Sequence, residues 1–499
     1  MNTTSVWHAG APTTSFPSLP GDAETDIVIV GGGITGITLA ALLADAGRNV
    51  IVLEALRIGE GTTGHSTGNL YGVVGQMQQL HSAWDTETAR RVVQSRLEAV
   101  NLVENIARRL PQDCGFQRVP QLIYAVDADA RQSVQSEFDV VRQLGLPCSL
   151  EEGTDLRHAV GPVLQIEAQA QFQPLAYVRA LATHIASINC QIFENTPALE
   201  IDHDQRTVRT ARGTIRAKDV VLATHTPKGI FSLHAEMTVH REYAVAGALT
   251  PSAPPQAINW GRGKEGHSAR HVVSELGHWI VVIGDEVKTG RHDGAAEQQA
   301  VDERANRLFD LVPQFRWSAQ NYHSPDFIPY IGRSRGAETM IATGFAADGL
   351  TYGTLAARLL ADLITGRDNP YAETYSARRI TPVKSAPRVI QENVLVMKSF
   401  LQDYVTDRKT VPLEQVQPGS GALVEHDGER VAAYRSTDGS VTMVSPVCTH
   451  LKCIVHWNAA ETSWDCPCHG SRFGADGRVL EGPALEPLAT VRPSVKKAG

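Results

Sequence analysis

The first strong signal along the chain is an unbroken run of apolar, β-branched residues, Asp26-Ile-Val-Ile-Val30, the pattern of a strand buried on both faces. A helical pattern follows from Thr35 to Ala46 and stops at Gly47, a residue suited to the left-handed position after a helix. Asn49-Val-Ile-Val-Leu-Glu54 repeats the buried-strand pattern, so the three segments predict a β-α-β unit with parallel strands. Helical spacing recurs around 87–110 and 175–188, and strand patterns fall at 219–224, 271–274 and 279–283. Met340-Ile-Ala-Thr343 then leads through a glycine-spaced turn into an apolar-faced helix over about 351–365. Pro370, Pro382 and Pro387 interrupt any regular element and mark a linker. Beyond Gly419 the texture becomes short alternating runs, Ala422-Leu-Val424, Val431 to Tyr434 and Val441 to Val444. Asp427-Gly428 and Asp438-Gly439 between them suit tight hairpin turns, and a small all-β domain is expected.

Composition bounds the class. The 499 residues allow two or three domains, and 42% hydrophobic with 20% charged residues is the balance of an ordinary globular chain. A net charge of −8 argues against a nucleic-acid partner, which needs clustered Lys and Arg. The longest apolar stretch, Ile27 to Ala46, is broken by Gly31, Gly32, Gly33 and Gly36, so no membrane span is expected. Met1 to Pro20 has neither Lys or Arg nor an apolar core, and no twin-Arg pair precedes the first strand, so a cytoplasmic location is expected.

Four of the seven cysteines crowd the C-terminal region, in Cys448-Thr-His450-Leu-Lys-Cys453 and Cys466-Pro-Cys468-His469-Gly-Ser471. Cys114, Cys148 and Cys190 sit apart among apolar neighbours and read as core thiols. Cys-x-His and Cys-x-x-His each put one thiolate and one imidazole on a loop, the donor set of a Rieske [2Fe–2S] centre: Cys448, His450, Cys466 and His469. An all-cysteine ferredoxin site would need a cysteine where His456 stands, and zinc would leave Cys453 and Cys468 unexplained.

Over about eighty residues these two boxes resemble the Rieske proteins of respiratory and photosynthetic electron-transfer complexes. By that resemblance Cys453 and Cys468 form a disulfide tying the two cluster loops together, and the histidine ligands sit at an exposed tip. Two departures stand out. Lys452 replaces a common glycine, and Phe473 stands where high-potential members have a tyrosine that donates to a cysteine sulfur. Ser471 keeps the other donor, so an intermediate potential is expected.

Gly31-Gly-Gly33-Ile-Thr-Gly36 follows a strand, opens a helix and has Glu54 at the end of the next strand, the full context of a dinucleotide fingerprint. A second match, Gly261 to Gly266, lacks a preceding strand pattern and a following helix and is read as chance. From about 24 to 368 the chain resembles the D-amino-acid oxidase, glycine oxidase and sarcosine oxidase group of flavoproteins. The resemblance rests on Glu54, the loop Gly59 to Gly68, Val220 to Thr224, Asp326-Phe-Ile-Pro-Tyr-Ile-Gly332, and Gly344 with Gly349-Leu-Thr351. It implies FAD, with contacts from Gly31, Gly33, Gly36, Glu54, Gly61, Thr62, Thr63, His65, Ser66, Ala223, Thr224, Gly344, Asp348, Gly349, Leu350 and Thr351. His65 lies in a loop like that of dimethylglycine dehydrogenase-like enzymes, where a histidine is bonded to the flavin; in other relatives the loop holds FAD without a bond, and non-covalent contact is the expectation here.

The implied architecture is an α/β FAD-binding domain (24–75, 166–230 and 325–368) with an α+β substrate domain (76–165 and 231–324), a linker at 369–410 and a small all-β Rieske domain at 411–499. Arg241 and Tyr243, on a strand pattern, are candidates for binding a substrate carboxylate, an equal alternative being a surface arginine and a packing tyrosine. The polar turn Gly284 to Gly290 is either structural or part of the site. The expected activity is oxidation of an amine or amino acid at its C–N bond, with electrons passed singly to the cluster and on to an external acceptor, a quinone or redox protein. An electron-transfer component feeding a partner oxygenase, and an oxidase with a structural Rieske domain, stay open. So does an oligomeric state.

Overall fold

The computed structural model describes residues 4–381 and 410–491 together with Ile390 and Val394, but not Val74, Gln76, 153–155, Arg157, Ile230, Glu275 or Leu276. Pro382, Pro387 and most of the expected linker lie outside the described residues.

The apolar run at Asp26 becomes the strand Ala23–Val30, paired in parallel with Val50–Leu53 on one side and Thr214–Leu222 on the other. The sheet adds Cys190–Phe193 beyond Val50–Leu53, Met340–Thr343 with antiparallel Tyr330–Arg333 at the other end, and the short strands Thr207–Arg209 and Glu200–Asp202 extending from Thr214–Leu222. Ile27, Val28 and Ile29 are all buried, because this sheet is covered on both faces and no alternation is needed. The helix Ile34–Asp45 starts directly after Gly33, and Gly47 adopts φ +72° just past its end. It packs beside the helix Gly349–Thr365, a contact so close that a side chain at Gly353 would run into Thr35.

The middle region forms a second, ten-stranded sheet. Thr238–Ala248 lies between Phe315–His323 and Gly277–Ile283, antiparallel to both. The sheet continues through His267–Ser274, Ile258–Arg262, Gln117–Ala125 and Val163–Gln171 to Asn69–Leu70. Asn69–Leu70 and the whole of Val163–Gln171 therefore join this sheet, although 24–75 and 166–230 were expected in the nucleotide-binding part. Gly261 to Gly266 lies in the hairpin between Ile258–Arg262 and His267–Ser274. A strand does precede it, but a strand, not a helix, follows.

The C-terminal region is all-β, with one three-stranded sheet (Ser420–His426, Glu429–Arg435, Val441–Val444) and one four-stranded sheet (His456–Asn458, Ser463–Asp465, Arg472–Gly474, Val479–Glu481). Asp427 and Gly428 both take positive φ, as a mirror-image hairpin turn requires. This domain sits directly on the rest of the chain. Ala459 N donates to Asp293 O (2.6 Å), Gly229 N to Pro483 O (3.0 Å) and Gln320 Nε2 to Gly470 O (2.8 Å). At Gly290 an added Cβ would lie 2.7 Å from Pro467 N, and at Gly294 it would strike the Tyr243 hydroxyl and Asn458. Among the described residues no helix is long and apolar enough to cross a membrane.

Candidate functional site

At the carboxyl ends of the parallel strands lies a cavity of about 520 Å³. Gly31, Gly33 and Glu54 line one end of it. Gly31 has φ +114° and backs onto the Ala223 carbonyl, while a Cβ on Gly36 would collide with Gly31 O, so both positions need glycine. Glu54 accepts from Gly32 N (2.7 Å) and Leu56 N (2.8 Å), and burial still pushes its carboxyl up from the usual range. Gly61, Thr62, Thr63, His65 and Ser66 border the same cavity, with Ala223 and Thr224 opposite. Thr63 Oγ1 accepts from Ile34 N at the helix start (3.0 Å). His65 Nδ1 donates to Gly61 O (2.9 Å).

Gly349 and Leu350 bring the N-terminus of the last helix to the cavity wall. Asp348, just before it, is committed to Arg96 (3.1 Å), a fully buried arginine that also donates to the carbonyls of Tyr71, Gly72 and Val73. Thr351 accepts from Tyr71 N (3.3 Å), and Gly344 turns the chain at φ +79°. Asp348, Thr351, Gly344 and Gly36 thus shape the cavity from behind or beside it, without lining it. The glycine turn, the helix N-terminus and the buried acid suit the pyrophosphate and ribose of FAD.

A second cavity of about 440 Å³ shares Thr67, Glu242, Ile283, Ala346 and Ala347 with the first. Gly284, Asp285 and Glu286 of the polar turn line it, together with groups that no sequence pattern marked. Glu242 stands at the junction, and Asn321 Nδ2 donates both to it (2.9 Å) and to Glu286 (3.2 Å). Glu286 Oε1 is 3.0 Å from His323 Nε2, and the His240 and His323 rings meet at 4.9 Å. Burial and the neighbouring Glu286 push the Glu242 carboxyl well above the usual carboxylate range. Arg262, in the glycine-rich segment read as chance, lines the same chamber, with its guanidinium 5.1 Å from the Trp260 ring.

Arg241 and Tyr243 face the opposite way. Arg241 is 1% exposed, donates to Ser318, and pairs with Glu481 (3.5 Å) and Glu461 (3.9 Å) of the C-terminal domain. Tyr243 accepts from Asn458 Nδ2 (3.3 Å) of the same domain. Glu461, Glu481 and Asp465 also hold the buried Arg472. The expected carboxylate-binding arginine does bind carboxylates, but they belong to the protein. The reason is the two-residue period of a strand: a shift of one position selects the other face.

The four cluster candidates converge. Cys448 and Cys466 are buried with their sulfurs in hydrogen-bonding reach of each other, and the Ser471 hydroxyl donates to Cys448. The His450 and His469 rings lie 5.1 Å apart, and burial lowers both to about 4, so both stay neutral as metal-bound imidazoles must be. His450 Nε2 and His469 Nδ1 are buried without a hydrogen-bond partner. Cys453 and Cys468 form a disulfide, which removes them from any zinc site. Two thiols, two neutral imidazoles and orphaned nitrogens fit a [2Fe–2S] cluster. The histidine tip is not exposed, however. His450 (9%) and His469 (8%) are covered by the chain's own His234, whose ring lies 5.0 and 6.3 Å from theirs. Arg478, Val479, Leu480, Glu481 and Gly482 of the same domain also form one wall of the first cavity.

Comparison with known proteins agrees with this division. Residues 26–363 match the family described as DAO, FAD dependent oxidoreductase, and residues 408–492 match the Rieske [2Fe-2S] domain. YhfW of Bacillus subtilis, named as a Rieske 2Fe-2S iron-sulfur protein, is 30% identical over 501 residues, with 97% of each chain covered. Gamma-glutamylputrescine oxidoreductase of Escherichia coli is 22% identical over 368 residues, 70% of this chain and 86% of its own. The solved structure of glycine oxidase from Geobacillus kaustophilus shares the fold, with a TM-score of 0.59 at 20% identity over 72% of this chain and all of its own. The chain therefore belongs to the DAO family of FAD-dependent oxidoreductases and carries, at its C-terminal end, a Rieske domain for a [2Fe–2S] cluster.

Proposed function

We propose that the protein is an amine or amino-acid dehydrogenase that passes electrons singly to its own Rieske cluster and on to an external acceptor, a quinone or a redox protein. One observation carries the reading: the strand Val479–Glu481 of the Rieske domain walls the cofactor cavity, and the cluster histidines point into the chain rather than out of it. FAD supplies two-electron hydride acceptance, and the cluster supplies one-electron exchange.

The chain's own residues divide the remaining work. The second chamber holds the substrate, with Tyr71, Trp260 and Tyr352 as apolar walls. Arg262 replaces Arg241 as the contact for a substrate carboxylate, since its side chain reaches the chamber while Arg241 is spent on Glu461 and Glu481. The Arg96–Asp348 pair holds the last helix with its N-terminus at the cavity, where its partial positive charge favours the reduced flavin. Gamma-glutamylputrescine oxidoreductase and glycine oxidase, both named for nitrogen compounds, support a C–N bond as the target.

Anaerobic stopped-flow mixing with a panel of amines and amino acids tests this. Flavin bleaching followed by cluster bleaching is the expected sequence. Bleaching only by a reduced carrier or NAD(P)H would replace the dehydrogenase with a reductase component. Flavin reduction with the cluster left oxidised would make the Rieske domain structural.

A further inference from the structure

Two carboxylates meet in one chamber, bridged by a single amide, and only Glu286 has a cationic neighbour, His323. Glu242 and Glu286 are joined by Asn321 Nδ2 at 2.9 and 3.2 Å, and Glu242 lies where the chamber meets the cofactor cavity. We propose that Glu242 and Glu286 bind the ammonium group of the substrate and that Glu242 takes its proton before oxidation, which makes the substrate a primary or secondary amine entering as its cation. This rests on the dehydrogenase reading above.

The charges around Glu242 support the assignment. Glu286 and Asp285 approach from the loop before Val287–Lys288, Asn321 and His323 from the strand Phe315–His323, and Tyr71 and Asp348 from the helix side. Asp348 is neutralised by Arg96, and Glu286 is held well below the usual range, largely by His323. Among the described residues Glu242 therefore faces an ionised neighbour and has no ion-pair partner of its own. Two ionised acids this close and partly shielded from solvent repel, which favours a proton on Glu242 until a positive charge arrives.

The step balances simply. The ammonium N–H gives its proton to a Glu242 oxygen, leaving a neutral carboxylic acid and an amine with a free lone pair. That lone pair forms the C=N bond as the α-carbon's hydride leaves, with its electron pair, to the flavin acceptor. Water then adds to the iminium carbon and releases a carbonyl compound and the amine nitrogen. Only an ammonium whose proton has gone can react, so binding and activation fall to the same carboxylate.

The test uses the full-length holoenzyme and tert-butylamine, a cation with no α-hydrogen and hence no reaction. Calorimetric titration should show Kd raised about tenfold or more in both Glu242→Gln and Glu286→Gln, the loss expected for a hydrogen bond to a charged group. Wild-type affinity should weaken as pH falls and Glu242 gains its proton, with a midpoint above the ordinary carboxylate range, and this dependence should vanish in Glu242→Gln. With an oxidisable amine, Glu242→Gln should also slow the limiting rate of flavin reduction by about 100-fold. FAD and cluster absorbance report that each variant has folded. Unchanged Kd and an unchanged pH profile in both variants overturn the proposal while leaving the dehydrogenase reading intact. If no amine or amino acid reduces the wild-type flavin, both fall together. His240, Glu286 and His323 offer donor atoms within 4.8 Å of one another, so stoichiometric Zn²⁺ uptake that blocks tert-butylamine and is lost in His323→Ala would also overturn it.

Discussion

The strand Thr238–Ala248 and its neighbour Phe315–His323 form a partition with two unlike faces. On one face Val239, Arg241 and Tyr243, with Gln320 and Tyr322, meet the Rieske domain, and Tyr322 also reaches the cofactor cavity. On the other, Glu242, Ala244, Trp317, Ala319 and Asn321 border the cofactor cavity. The first face carries opposite charges in contact: Arg241 and Arg472 face Glu461, Asp465 and Glu481, although among the described residues Arg241 Nε and Nη2, Glu461 Oε1 and Glu481 Oε2 make no hydrogen bond. On the second, Glu286 pairs with His323, and among the described residues Glu242 has no ion-pair partner. Opposite charges in contact fix geometry, whereas a buried acid without a cation can take a charged ligand.

The largest way to break this contrast is Arg241→Met. It strands Glu461 and Glu481 beside a single arginine, and removing one member of a buried charge network costs about 3–5 kcal/mol. Cluster reduction after flavin reduction should slow steeply in stopped flow, with flavin reduction by substrate nearly unchanged; an unaltered second phase would show that the network does not hold the joint. Next, Cys453→Ser with Cys468→Ser opens a crosslink of sequence separation 15, worth about 3 kcal/mol by loop entropy. The cluster should bleach faster on warming while FAD content stays constant. Gln320→Leu leaves the Gly470 carbonyl without its donor beside His469, a loss of about 1–3 kcal/mol, and should slow only the second phase. Phe473→Tyr restores a donor near the cluster and should raise its midpoint potential by roughly 40 mV, one hydrogen bond of about 1 kcal/mol in a one-electron couple. The smallest effect concerns His65: acid precipitation should leave the flavin in the supernatant, and coloured precipitate would show a covalent bond.

How much of this could be read along the chain depended on the range of the contacts. The β-α-β turn and the cluster boxes are local, since a few adjacent residues contain both the geometry and the chemistry, and Asp26–Glu54 and Cys448–Ser471 could be interpreted directly. The choice between Arg241 and Glu242 could not. It depends on which way one strand faces between two neighbours far away in sequence, Gly277–Ile283 and Phe315–His323. Asn321, seventy-nine residues from Glu242, carries no pattern of its own. Arg262 was hidden for the opposite reason, because its glycines resembled a phosphate loop and drew attention from the side chain. The tip of the Rieske domain was expected in solvent because its motif describes the domain alone and not what lies against it.

The glycines at the joint have a kinetic meaning. Gly290 lets backbone touch backbone at Pro467, and Gly294 leaves room for Tyr243 and Asn458, so neither surface has slack for a side chain. Two domains closed this tightly on one chain meet at a fixed effective concentration, set by the fold and not by how much protein is present. Electron exchange across the seam should therefore be first-order and indifferent to dilution. Added free Rieske domain should not compete for it, whereas an alanine at Gly290 should make the same event depend on how often the seam closes.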